Sequence, residues 1–247
     1  MNWAAWAGLG LVLLTAGMML GFAAQRSGKG RSFRAIRAFA RVREAIGRAV
    51  EEGGRLHVSV GRGGVIASQS ASTLAALVFL RQAADLTSAG DRPPIATTGE
   101  SLTALLADDL LRAAYRAATG LQTVAVNGRL SGLTPFSYAA GALAVIFDEF
   151  ASANILLGHF GLEAALLADA TERKRAFSIA GSDSLVAQSV LYATAEEPIL
   201  GEDLYAASAY LNPAPMHLAS LRAQDVLRWI IIFLALLGAL LKAGGLL

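Results

Sequence analysis

The stretch LHVSVGRGG, residues 56–64, sets the pattern that decides the fold. Its first residues alternate between apolar and polar side chains, which predicts a strand, and its glycine-rich end predicts a tight turn. An apolar helical pattern follows over 70–86, and we expect Val65–Ala67, in between, to be extended. A strand, a turn and a helix in this order form the unit from which parallel sheets are built.

The same alternation continues outward to residue 211. We predict strands at 56–60, 93–98, 121–126, 154–158 and 176–180, and helices at 70–86, 101–118, 162–174, 184–193 and 201–211, with 136–147 apolar and ambiguous. The predicted fold class is therefore α/β, a single domain over 55–212 with a mostly parallel sheet of about five strands flanked by helices.

Both ends of the chain are more apolar than a soluble domain. The sequence is 55% hydrophobic and 16% charged, against roughly 45–50% and 25% in soluble domains. Residues 3–24 carry no charge, and as a helix they would span about 33 Å, enough for a hydrocarbon core. We expect transmembrane helices at 1–25 and 229–247, with a linker at 213–228. A cleaved signal peptide and an in-plane C-terminal helix are the alternatives.

Basic residues lie on the inner side of both apolar segments, which by the positive-inside rule places the domain in the cytoplasm and both termini outside. Segment 26–54 predicts a basic amphipathic helix, over 31–52, whose apolar face packs on the domain or on a neighbouring subunit. It stands directly beside the first predicted span and has no interleaved aromatics of the base-stacking kind, so we expect lipid head groups, and no nucleic acid, as its partner. The residues expected at the membrane surface are Arg26, Lys29, Arg31, Arg34, Arg37, Arg41 and Arg228.

The sequence contains no set of residues that commits it to a reaction. It has no cysteine, and its three histidines are too far apart in sequence for a local metal motif. The turn GRGG lacks the later glycine of a dinucleotide-binding loop, and no P-loop is present. We therefore predict no catalytic residue, cofactor or metal, and note only that Asp148 and Glu149 could act as a general acid or base.

Polar residues at predicted strand ends are the candidates for a ligand site. Thr98 and Gly99 follow one strand, His159 another, and Ser182 with Asp183 a third. Ligands of open α/β sheets bind at the carboxyl ends of the strands. The alternative is a hydrogen-bonded core histidine and a capping serine.

Several stretches resemble a family of uncharacterised bacterial membrane proteins that share a domain of unknown function. They are LHVSVGRGG (56–64), DRPPIATTG (91–99), GLTPFSYAAG (132–141), LGHFG (157–161) and YATAEEP with GE (192–202). The resemblance covers roughly 55–228 and implies a shared domain between membrane segments, in a bacterial inner membrane. It implies no catalytic residues.

Three functions are compatible with these features. Gly17 and Gly21 form a GxxxG helix-packing strip, which favours a non-enzymatic, membrane-anchored scaffold or accessory subunit that self-associates, alone or within a larger membrane complex. The first alternative is a membrane-tethered sensor that binds a small ligand at the strand ends. The second is a membrane-tethered hydrolase.

Overall fold

A computed structural model of the chain describes residues 3–24, 35–88, 90, 92–120, 125 and 127–244. Residues 34–212 form one compact unit, and the two ends of the chain form another. We call the first of these the α/β unit.

The α/β unit contains a six-stranded sheet in which every neighbouring pair of strands is parallel, in the order β3-β2-β1-β4-β5-β6. The strands are β1 (Arg55–Gly61), β2 (Ile95–Thr98), β3 (Gly128–Leu130), β4 (Ala151–His159), β5 (Phe177–Ser182) and β6 (Glu197–Ile199). The α/β class and the parallel sheet are thus confirmed. The sheet has six strands where about five were expected, and the additional strand is β6, which was not predicted.

The helices of this unit are α2 (Arg37–Glu51), α3 (Ser70–Thr87), α4 (Ser101–Thr119), α5 (Pro135–Asp148), α6 (Ala164–Arg173), α7 (Leu185–Thr194) and α8 (Asp203–Leu211). The ambiguous segment 136–147 is therefore helical, and Thr134 begins α5 with a capping box.

Three local predictions were displaced or wrong. Val65–Ala67 lies in a turn that leads into α3 and is not extended as a strand. The third strand begins at Gly128, while residues 121–124 and 126 of the predicted strand lie outside the described residues. Helix α2 begins at Arg37, because Ile36 is extended, with φ −101 and ψ 112.

The two faces of the sheet carry different side chains. On one face, Val58 and Ile155 pack under α2, α3, α4 and α8 in a large apolar core. Helix α2 buries Phe39 in this core, so its apolar face packs on the domain, one of the two alternatives above. On the other face, α5, α6 and α7 cover a smaller apolar cluster around Leu156 and a set of polar residues described below.

The strand order reverses direction at β1. From β1 the chain builds outward through β2 to β3, then crosses back to place β4 on the other side of β1. In doubly wound sheets of this order, the loops after the two central strands diverge and leave a crevice for ligands. The carboxyl ends of β1 and β4 are therefore the place to look for a site.

The unit formed by the chain ends contains α1 (Trp3–Ala24) and α9 (Pro215–Ala243), which pack against each other. Both are long and apolar enough to cross a membrane, and their most apolar windows are exposed. Helix α9 continues from Pro215 without a break, so most of the expected linker at 213–228 is helical.

Candidate functional site

The turn after β1 packs closely between the ends of β2 and β4. Gly61 pairs with Thr98 on one side and with His159 on the other. It has φ +81, and a Cβ at this position would lie 2.2 Å from the carbonyl oxygen of His159. A Cβ on Gly63 would lie 2.3 Å from Thr73 Oγ1, at the start of α3. Only glycine allows the backbone to approach this closely.

A histidine and an aspartate meet at the ends of β4 and β5. The Nδ1 atom of His159 lies 2.7 Å from Asp183 Oδ1, and Ser72 in the first turn of α3 donates a hydrogen bond of 2.8 Å to Asp183 Oδ2. The His159 side chain is 26% exposed and that of Asp183 20%, so a ligand can reach the imidazole. Its Nε2 makes no hydrogen bond with any residue in the described ranges.

The other predicted ligand residues divide between two places. Ser182 Oγ accepts hydrogen bonds from Phe160 N (3.1 Å) and Ser184 N (3.3 Å), so it fixes the loops next to His159. Thr98 and Gly99 lie at the end of β2, and the Thr98 hydroxyl donates to the carbonyl of Glu100. Since β1 and β4 separate β2 from β5, Thr98 lies three strand spacings, roughly 14 Å, from Ser182.

Two carboxylates occupy the beginnings of helices at this edge. Glu100 accepts hydrogen bonds from Leu102 N (3.0 Å) and Thr103 N (2.7 Å) at α4. Glu163, beside α6, accepts from Gly161 N (2.9 Å) and from Arg62 Nε (2.7 Å). Burial alone would raise the pKa of both groups, but these hydrogen bonds lower it below its usual value. Both groups are therefore ionised at neutral pH.

A buried chain of polar side chains leads from the sheet to the glycine-rich turn. His57 Nε2 lies 2.8 Å from Thr97 Oγ1, and Thr97 donates to Ser59 Oγ. Ser59 Oγ bonds the hydroxyl of Tyr138, which accepts a hydrogen bond from Gly61 N at 3.2 Å. Burial raises the pKa of Tyr138 to about 12 and lowers that of His57 to about 4, so both are neutral at pH 7.

Glu149, considered above for acid–base chemistry, lies before the amino end of β4 and binds Arg55 Nη1 and Arg129 Nη2, each at 2.6 Å. Two arginines thus bind its two carboxylate oxygens, which is the arrangement of a structural ion pair. Asp148 is exposed beside it. Within the described ranges, no three His, Asp or Glu side chains are grouped so as to hold a metal ion.

The basic residues predicted at the membrane surface divide into three groups. Arg37 and Arg41 bind the buried carboxylate of Glu197, at 3.1 and 2.6 Å. Arg228 lies 3.7 Å from Asp225 on α9. The remaining four, Arg26, Lys29, Arg31 and Arg34, lie outside the described residues. Contact of any of them with lipid stays a prediction.

Comparison with known proteins places this chain in a family. A family model described as "Domain of unknown function (DUF6754)" matches residues 2–245. The chain belongs to this family. No curated protein and no solved structure shows a significant match. The resemblance seen in the sequence covered residues 55–228. The DUF6754 match covers nearly the whole chain and includes both apolar ends.

Sequence reasoning missed three residues of the candidate site. Ser72, Arg62 and Glu163 bond the strand-end residues directly or lie beside them. Arg62 and Glu163 follow β1 and β4 closely, so the rule that selected His159 could also have selected them. Ser72 has no such signal, because it belongs to the first turn of an apolar helix.

Proposed function

We propose that this DUF6754 protein is a membrane-anchored domain that binds a small polar ligand at the carboxyl edge of its sheet. The observation that carries the proposal is the His159–Asp183 pair, which lies beside the close-packed turn of Gly61 where the strand order reverses. A partly exposed imidazole, oriented by a carboxylate, offers a ligand one hydrogen-bonding atom in a fixed place.

The anchoring part of the proposal rests on α1 and α9, which have the length and composition of membrane-spanning helices. The basic residues on the inner side of both segments favour an α/β unit in the cytoplasm of a bacterium, with both termini outside. Such a protein would present its ligand site to the cytoplasm while remaining in the inner membrane.

The test is a thermal-shift screen of the full chain in an uncharged detergent, against a library of metabolites and nucleotides. A ligand at 100 times its Kd stabilises the folded state by about 2.7 kcal/mol. A compound that raises the Tm of the wild type, and raises it less in Asp183→Asn, supports the proposal. Asp85→Asn, which removes an exposed carboxylate from α3, is the control and should respond like the wild type. If no compound raises the Tm, the proposal fails.

Self-association is a second candidate function, as in the scaffold hypothesis, and one observation favours it. Helix α1 packs against α9, yet a Cβ added to Gly17 or Gly21 would meet nothing within 4 Å. The GxxxG strip is thus free to receive a helix of another subunit. Light scattering in mild detergent should give a defined multiple of the chain mass, and Gly17→Leu with Gly21→Leu should lower it. A wild type that is monomeric at all concentrations would exclude this candidate.

A further inference from the structure

A cavity opens at the opposite edge of the sheet, where β4 and β5 begin. It has a volume of about 380 Å³, is open to solvent on one side, and is lined by the end of α2, the starts of both strands and the end of α6. Three of its lining residues are cationic, Arg48, Lys174 and Arg175, and one, Glu52, is acidic. The cavity is separate from the candidate ligand site, because that site lies at the carboxyl ends of the same strands.

Two of these cations differ from most other arginines of the α/β unit. Eight arginines bind a carboxylate: Arg37, Arg41, Arg55, Arg62, Arg81, Arg112, Arg129 and Arg173. In contrast, the guanidinium groups of Arg48 and Arg175 make no hydrogen bond or ion pair with any residue in the described part of the chain. Glu52, although it lines the same cavity, is not within ion-pair distance of either. The two guanidinium groups are therefore available to an anion.

Two further observations concern the same cavity. Arg175 has φ +53, a left-handed conformation that disfavours any side chain and that usually selects glycine after a helix end. An arginine at such a position suggests a use for its charge. Ser152, also in the lining, has an Oγ that is inaccessible to solvent and lacks a partner in the described part of the molecule. One hydroxyl group of the lining is therefore left without a partner beside the cations.

We propose that this cavity binds a phosphate group. Guanidinium groups bind phosphate oxygens through paired, charge-assisted hydrogen bonds, and an ammonium group such as that of Lys174 adds a point charge. Lys174 Nζ already donates to the Phe147 carbonyl at 2.8 Å, so Arg48 and Arg175 are the principal ligands. The phosphate belongs to a soluble anion or to a lipid head group, which offer the same oxygens.

A different role for these cations is compensation of the helix dipoles, because α2 and α6 both end at this cavity. Arg116 provides the matched control. It stands in the last turn of α4, is exposed, and makes no ion pair among the described residues, but it does not line this cavity. Loss of Arg116 tests the helix-end effect without the cavity.

The experiment measures binding of inorganic phosphate to the full chain in uncharged detergent by calorimetry. It also measures the Tm of the chain in phosphatidylcholine nanodiscs with and without phosphatidic acid. The variants are Arg48→Gln, Arg175→Gly and the control Arg116→Gln. Arg175→Gly should fold at least as well as the wild type, since glycine accepts its backbone conformation.

Saturable phosphate binding that falls about tenfold or more in Arg48→Gln and Arg175→Gly, but not in Arg116→Gln, supports a site for a soluble phosphate. Stabilisation by phosphatidic acid alone, lost in the same two variants, supports a lipid head group. Neither effect in the wild type, or equal effects in all three variants, would overturn the proposal.

Discussion

His57 and Thr97 share a hydrogen bond inside the sheet, with Nε2 of the imidazole 2.8 Å from the threonine Oγ1. Because the Thr97 hydroxyl donates to Ser59, it accepts from His57, which fixes the proton of the neutral ring on Nε2. Both side chains are fully buried between β1, β2 and α5. A charged imidazole here would lose its hydration, and this burial lowers the pKa of His57 to about 4.

This burial predicts a pH dependence of folding. Unfolding restores an ordinary pKa of about 6.5, so the unfolded chain binds a proton that the folded chain does not. The contribution of neutral His57 to the free energy of unfolding is therefore fully present above pH 6.5. It is lost as the pH drops towards 4, and the total loss is about 3 kcal/mol. Denaturation of the full chain across this range should show the loss. His57→Gln should flatten that part of the curve, whereas His217→Gln should leave it unchanged.

Tyr138 supplies the hydroxyl that joins Ser59 to the amide of Gly61. Tyr138→Phe would leave the buried Ser59 hydroxyl and the Gly61 amide with one partner fewer. It should lower the free energy of unfolding by about 1–3 kcal/mol. Tyr192→Phe is the matched control, because Tyr192 is 67% exposed. Equal unfolding free energies of the two variants would show that the buried hydroxyl contributes nothing.

Gly61 in the glycine-rich turn and Gly53 after the end of α2 both have a left-handed backbone conformation and can be compared. Gly53 has φ +65 and open space around it, whereas a Cβ on Gly61 would lie 2.2 Å from a carbonyl oxygen. Gly53→Ala should cost about 1 kcal/mol, for the left-handed conformation alone. Gly61→Ala adds a collision of the new Cβ with the His159 carbonyl of β4, so we expect it to lower the free energy of unfolding several times more than Gly53→Ala. Chemical denaturation measures both, and similar losses would mean that the turn can relax.

Much of the fold could be predicted because strands β1, β2, β4 and β5 are apolar or alternate over four residues or more. Strands β3 and β6 have three residues each and depend on distant partners. Asp108 of α4 accepts hydrogen bonds from Asn127 N and Gly128 N, which fixes the start of β3. Interactions over this separation in sequence leave no local pattern.

The candidate site could also be predicted only in part. His159 and Asp183 lie at strand ends, where topology alone directs attention. Their hydrogen bond requires that β4 and β5 be neighbours with Gly158 opposite Ser182. The predicted parallel sheet allowed this pairing, but the sequence alone did not specify it. Ser72 was not predictable, because α3 reaches Asp183 only through the packing of the helix on the sheet.

Glu197 connects α2 to the edge strand β6, and it should contribute more to stability than its neighbour Glu196. The Glu197 side chain is 6% exposed and binds both Arg37 and Arg41, whereas that of Glu196 is 44% exposed and binds only Arg41. Glu197→Gln leaves the partly buried guanidinium of Arg41 and the exposed one of Arg37 with a weaker partner, so it should lower the Tm more than Glu196→Gln. High salt should narrow the difference only slightly, because the Glu197 carboxylate is screened little. The reverse order of Tm values would show that the exposed pair holds α2.

The Asp183 carboxylate should fix the tautomer of His159. An ionised carboxylate can only accept, so the neutral imidazole must carry its proton on Nδ1, 2.7 Å from Asp183 Oδ1, and present a bare Nε2 to a ligand. Nitrogen-15 NMR of histidine-labelled protein can test this, since the chain has three histidines and His57 should show the opposite tautomer. Asp183→Asn offers an amide that can donate as well as accept, so His159 should become a mixture of both tautomers. The same mixture already present in the wild type would mean that Asp183 does not orient the ring.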